Sequence, residues 1–149
     1  MRLRVFGLSC ISTLLILLGS SCRKDGKLGP DPHIEYISVS SKSLIAGDSL
    51  VVTIGYEDLE GDLGASDFET KNLFLVDQRD NIEIGYNLKQ LDPGTGELHI
   101  KGELDILIKS VFLLDVAASE ETLSYEVYLV DRDGNQSNRV LTDDITVRK

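Results

Sequence analysis

From Ile34 to the C-terminus, apolar residues recur with a period of two or in short runs bounded by turn residues. A period of two places successive side chains on opposite faces of a strand, so it describes half-buried β-structure and not helix. Ile34–Ser40 alternates; Leu50, Val52, Ile54 and Tyr56 alternate with Val51, Thr53 and Gly55; Ile82, Ile84 and Tyr86 alternate with Glu83 and Gly85. Leu73–Val76 is a compact apolar run, and Leu98–Ile108 alternates loosely, with Gly102 a candidate bulge. Tyr125, Val127 and Leu129 share a face, and Val140–Val147 closes the chain. Lys109–Thr122 resists this reading, because Val111, Phe112, Leu114 and Asp115 suit a short helix as well as a strand.

The connections carry turn chemistry. Asp77–Asn81 is a short polar link. Asp92-Pro93-Gly94-Thr95 suits a type II turn, with proline pre-set at the second position and glycine free at the third. Arg132-Asp133-Gly134-Asn135 suits a two-residue type I′ hairpin centred on Asp-Gly. About seven to eight short strands at such spacing predict an all-β, antiparallel β-sandwich over residues 34–149, with no internal repeat and no second domain.

Composition narrows function. Apolar residues make up 42% of the chain, enough for a core. The 25 Asp and Glu against 15 Lys and Arg give a net charge of −10, which argues against a nucleic-acid partner. Two Cys, two His and no Trp leave few parts for a zinc site, a disulfide framework or a histidine-based triad.

Arg2 and Arg4 precede the apolar run Val5–Leu18. As a helix that run is about 21 Å long, short of the roughly 30 Å hydrocarbon core, so residues 1–21 read as a secretory signal. Leu17-Leu18-Gly19-Ser20-Ser21-Cys22 resembles the lipobox of bacterial lipoproteins, in which the cysteine becomes the acylated N-terminus. The usual leucine three places before the cysteine is Gly19 here, a relaxed box similar to those of Bacteroidota lipoproteins. The resemblance implies lipidation (palmitate included) at Cys22, and anchoring at the outer membrane of a Gram-negative bacterium, on the periplasmic face or the cell surface. The alternative is an ordinary signal peptide cleaved near Ser21, with Cys22 incidental. One acyl chain anchors only marginally, at about 0.8 kcal/mol per buried methylene, whereas the two or three chains of such lipoproteins hold stably. Removing residues 1–21 leaves 128 residues with 13 basic and 25 acidic side chains, a net −12, and a single Cys. Residues 22–33, rich in Gly, Pro and mixed charge, read as a flexible tether. Arg23-Lys24-Asp25 resembles the charged patch that sends some Bacteroidota lipoproteins to the surface, and serves equally to solvate a tether.

Two further motifs carry a second resemblance. Tyr128–Asn138, YLVDRDGNQSN, resembles the penultimate hairpin of bacterial immunoglobulin-like (Ig-like) domains. Tyr56–Gly64, YEDLEGDLG, resembles the acidic loop of Bacteroidota lipoproteins that share that hairpin. Together they imply an Ig-like fold and no particular activity.

The acidic loop is the one concentrated chemical feature: Glu57, Asp58, Glu60, Asp62, Asp67 and Glu69, without Lys or Arg between them. In an Ig-type topology it meets the last hairpin at one end of the sandwich, bringing Asp58, Glu60, Asp62 and Asp67 toward Asp131, Asp133 and Asn135. Crowded carboxylates repel, and Ca²⁺, which takes six to eight oxygens, would relieve them. The loop is not an EF-hand, since the glycine required at its sixth position is Leu63. A merely solvated acidic loop is the competing reading. His33 and His99 have no nucleophile or acid beside them in a catalytic pattern. The expectation is a non-catalytic envelope lipoprotein, a binding or structural module that contacts an envelope protein. The alternatives are a glycan-binding accessory protein using tyrosines among Tyr36, Tyr56, Tyr86, Tyr125 and Tyr128, or, with less support, a small carboxylate hydrolase pairing Asp58 with Asp131.

Overall fold

The computed structural model describes residues 29–91 and 99–149. The signal, Cys22, most of the tether and the Asp92–Thr95 turn lie outside the described residues. Ten strands follow in order: β1 His33–Val39, β2 Ser43–Ile45, β3 Leu50–Asp58, β4 Leu73–Asp77, β5 Glu83–Tyr86, β6 Ile100–Ile108, β7 Glu120–Leu123, β8 Tyr125–Leu129, β9 Val140–Leu141 and β10 Ile145–Arg148. The described chain is all-β, without a helix, in three sheets ordered β1-β3-β6, β5-β4-β8-β9 and β2-β10-β7. The arrangement is consistent with a β-sandwich.

Alternation does the folding work. In β3, Leu50, Val52, Ile54 and Asp58 turn inward and are at most 1% exposed. They meet Leu75 of β4, Val127 and Leu129 of β8, and Ile145 and Val147 of β10 in one core. Each such aliphatic side chain contributes roughly 1.5–3 kcal/mol when fully buried. Val51, Thr53, Gly55 and Glu57 form the outer row, paired with Leu107, Asp105, Glu103 and Lys101 of β6.

Several expectations need correcting. The strands are not all antiparallel, because β2 pairs with β10 in parallel. Its three residues are too few to display a period, and only the crossover at Ser40–Lys42 delivers them to β10. The last apolar run, Val140–Val147, is split between sheets: its first part, β9, pairs with β8, and its second, β10, pairs with β7 in the neighbouring sheet. Thr142 closes that corner, giving its N–H to the Tyr125 carbonyl at 2.9 Å and accepting the Tyr125 N–H on Oγ1 at 3.0 Å. Gly102 stays in continuous register opposite Tyr56, and the irregularity falls in β1 instead, between Tyr36 and Ser38. At Gly102 a Cβ would stand 2.7 Å from Tyr56 Oη, so the glycine makes room for a ring.

The Asp133-Gly134 hairpin is not type I′, which needs positive φ at both central residues. Gly134 has φ +90° and Asp133 is not among the positive-φ residues. The Gly134 N–H reaches the Asp131 carbonyl and the Asp131 N–H reaches the Asn135 carbonyl, the pattern of a type I turn followed by a left-handed glycine.

The ambiguous segment is neither helix nor strand until β7 begins at Glu120. Val111, 1% exposed, plugs the end of the core, exchanging backbone bonds with Gly47 (2.8 Å) and Asp48 (2.9 Å). The loop is braced from below by Arg79 and Glu121. Arg79 donates to the Phe112 carbonyl at 2.8 Å and pairs with Asp77 and Glu121. Glu121 accepts the N–H groups of Leu114 and Asp115 at 2.9 and 2.6 Å.

Candidate functional site

β1 begins, and β3 ends, at one pole of the molecule, where His33 pairs with Glu57. The acidic loop emerges from β3 at this pole. Leu63, fully buried, anchors it, and the Leu91 N–H bonds the Leu63 carbonyl. Ala65 bridges Lys89, and Asn72 clamps Leu88 from both sides, accepting its N–H at 2.6 Å and donating to its carbonyl at 2.9 Å. Gly61 and Gly64 take positive φ, 67° and 88°. At Gly64 the backbone of Lys89 and Gln90 passes so close that a Cβ would land on the Lys89 carbonyl and 2.6 Å from Gln90 Cα.

The β8–β9 hairpin arrives at the same pole. The Arg132 N–H bonds the Asp62 carbonyl at 3.3 Å, and its guanidinium reaches the Gly61 carbonyl at 3.5 Å. Arg132 is thus the link between the two motif loops, a role that no feature of its neighbourhood in sequence announces.

Most of the acidic side chains are spent on the fold. Asp58, 1% exposed, accepts three backbone N–H groups, from Glu60 (3.1 Å), Asp62 (2.8 Å) and Leu63 (3.2 Å). Asp131 takes the Asn135 N–H at 2.7 Å and its side-chain amide at 2.9 Å, so Asn135 is also consumed. Asp67 takes the N–H groups of Glu69 and Thr70 and the Thr70 hydroxyl. The Thr70 contacts hold its carboxyl below the usual aspartate range. Glu60 and Asp133 are exposed.

Asp62 differs. It is 9% exposed, and its Oδ1 is buried without a hydrogen-bond partner. Loss of water, then the charges of Asp131 and Asp58, push its carboxyl up to about 6 from 3.8, opposed by Arg132 and reinforced by Asp133. The structure therefore gathers Asp58, Asp62, Asp131 and Asp133 within electrostatic reach, while Asp67 and Asn135 are engaged locally. Among the described residues, no group of three or more His, Cys, Asp or Glu is gathered closely enough to hold a metal ion.

A depression of about 290 Å³ beside the cluster is lined by Asp67, Thr70, Asn72, Asp131 and Arg132. A glycosidase acid needs a carboxyl with a raised pKa facing such a space. Of the two carboxylates here, Asp67 is shifted the other way and Asp131 is occupied by Asn135.

The tyrosines serve packing. Tyr125 and Tyr128 are buried, Tyr36 donates to Asp143 at 3.1 Å, and Tyr56 lies over Gly102. The Tyr128 ring stacks on Phe74 at 4.8 Å, carries the Arg139 guanidinium at 4.1 Å, and its hydroxyl donates to Glu83 at 2.6 Å. Both faces of that ring are covered, which leaves no platform for a sugar. Among the described residues, the exposed phenylalanine rings are Phe68 and Phe112.

The braced loop after β6 is an exposed apolar surface that its own sequence does not mark. It carries Phe112, Leu114 and Val116, 59%, 49% and 85% exposed, at the pole opposite the start of β1. The available signal was Arg79, a lone cation between Asp77 and Asp80 that needed a reason to be there. The two histidines lie near Glu57: His33 opposite it on β1, and His99, just before β6, with Nε2 at 2.9 Å.

Comparison with protein-family models, curated proteins and solved structures finds no match to this chain.

Proposed function

We propose that this chain is a lipid-anchored envelope module, held through Cys22 and the 22–33 tether at the outer membrane of a Gram-negative bacterium, whose role is binding or structural and not catalytic. One observation carries the non-catalytic part: each motif loop spends its buried aspartate on backbone N–H groups of the fold, Asp58 on three and Asp131 on that of Asn135. An Ig-like arrangement supports the same reading. Ig-like sandwiches carry strands A, B and E in one sheet and C, F and G in the other. Taking β1, β3 and β6 as A, B and E, and β4, β8 and β9 as C, F and G, reproduces both orders, with β5 added beside C. The exposed apolar side chains of the braced loop then face away from the tether, where an envelope protein can reach them.

Tritiated palmitate fed to cells tests the anchor. The chain should be labelled and sediment with outer membrane, and Cys22→Ser should lose both properties. An unmodified Cys22 thiol in the native protein sinks this reading.

Bound Ca²⁺ is a second reading, favoured by the orphaned Oδ1 of Asp62 among like charges. Asp58 and Asp131 are engaged, so the ion would complete its shell with carbonyl and water oxygens. Binding to the folded state raises the melting temperature by mass action, and Asp62→Asn should abolish that rise. A melting point unmoved by excess Ca²⁺ removes the ion.

A further inference from the structure

We propose that β6 is a self-recognition edge, on which a second copy of this chain adds its own β6 in antiparallel register about a two-fold axis at Gly102. β6 ends its sheet, paired to β3 alone over nine residues. Among the described residues, no backbone group of 100–108 bonds outside that ladder. An edge of this kind offers a row of free N–H and C=O groups to an incoming strand.

What selects the occupant is the charge pattern. In an antiparallel pair, opposed residues share a face, so a two-fold axis must pass through a residue if the two core faces are to align. With the axis at Gly102, Lys101 stands opposite the partner's Glu103, His99 opposite the partner's Asp105, and Ile100 opposite the partner's Leu104. Each of these pairs occurs twice. Moving the axis to Lys101, Glu103 or Asp105 sets a charge against itself, and moving it to Leu104 sets Glu103 against Asp105. Opposed charges favour a cross-strand pair and like charges disfavour it, so among axes from Lys101 to Asp105 the one at Gly102 is favoured.

The isolated chain also leaves Glu103 unmatched. Glu103 is exposed and makes no hydrogen bond or ion pair among the described residues. Its neighbour on β3 is Gly55, over which Glu35 leans, so closely that a Gly55 Cβ would stand 2.9 Å from the Glu35 carboxylate. Across the strand pair, therefore, Glu103 meets another acid. Lys101 reaches Glu57 loosely, at 3.5 Å. In the dimer each outer row would read His33, Glu57, Lys101, then the partner's Glu103, placing the lysine between two carboxylates. The net charge of −12 on each copy from Cys22 onward opposes approach, but at 0.1 M salt it is screened beyond about 10 Å, while the paired side chains are in contact.

The test uses the full acylated chain in detergent micelles and in membranes. A zero-length carbodiimide should join Lys101 of one copy to Glu103 of another, recognised by mixing isotopically light and heavy chains. In sedimentation, Lys101→Glu should weaken the dimer at least about tenfold, and Lys101→Glu with Glu103→Lys should restore it. Lys101 is exposed and Glu103 unpaired, so melting temperatures serve to show that all variants remain folded. A monomer at every accessible concentration, a dimer indifferent to Lys101→Glu, or cross-links confined to other residues overturns the proposal. The same sedimentation and cross-linking on the chain from residue 22 onward without an acyl group, in buffer, separates failure of the edge from failure of the anchor at Cys22.

Discussion

Asp62→Asn isolates the one acidic side chain whose oxygen the fold leaves unsatisfied. The carboxyl of Asp62 is pushed up to about 6 from 3.8, first by desolvation and then by Asp131 and Asp58. Each step of one in pKa corresponds to about 1.4 kcal/mol, so the ionised form costs the folded state at most about 3 kcal/mol, and about 1–3 kcal/mol after screening by nearby solvent. The sign follows from linkage. Between 3.8 and 6 the folded chain holds a proton that the unfolded chain releases, so the contribution of Asp62 to stability falls as pH rises through that window. The cost is complete above 6 and absent below 3.8. Asparagine is nearly isosteric and carries no charge. Urea melts in the presence of a chelator should therefore find Asp62→Asn more stable than wild type by about 1–3 kcal/mol near pH 7.5, with the difference closing by about pH 4. A variant equal to or weaker than wild type at the higher pH, or a difference that ignores pH, refutes the argument. Repeating the melts in excess Ca²⁺ separates the two readings of the site, because a bound ion reverses the sign of the difference.

Four other outcomes follow from the same geometry. Asp58→Ala strands three N–H groups, two of them buried, and should cost about 2–4 kcal/mol in denaturant melts, far more than loss of an exposed loop charge. Gly64→Ala should destabilise by about 3 kcal/mol or more, because Lys89 and Gln90 backbone occupies the space, whereas Gly134→Ala, with nothing within 4 Å of its Cβ, should cost only about 1 kcal/mol despite a similar φ. Arg79→Ala should raise hydrogen exchange at Leu114 and Asp115 by freeing the 109–119 loop. Glu121, whose carboxyl is held below its usual range by those two N–H groups and by Arg79, should lose its stabilising contribution only as pH falls below about 4.5.

The alternation of Leu50, Val52 and Ile54 determined that β3 exists and which face it buries, because a period of two leaves a chain only one way to hide its apolar side chains. The same logic made β1, β5, β6 and β8 legible, β4 showed as the short apolar run Leu73–Val76, and the run of carboxylates marked where charge would concentrate. What one chain segment could not reveal was pairing at a distance. Ser43–Ile45 has no period of its own and becomes a strand only because β10 lies beside it, and Val140–Val147 reads as one strand until β8 and β7 claim its two ends for different sheets. The acidic loop divides in the same way. Its composition was plain, but whether a given aspartate is a cap or an orphan depends on which N–H groups the folded backbone brings within about 3 Å, and Asp58 and Asp62, four residues apart, receive opposite answers.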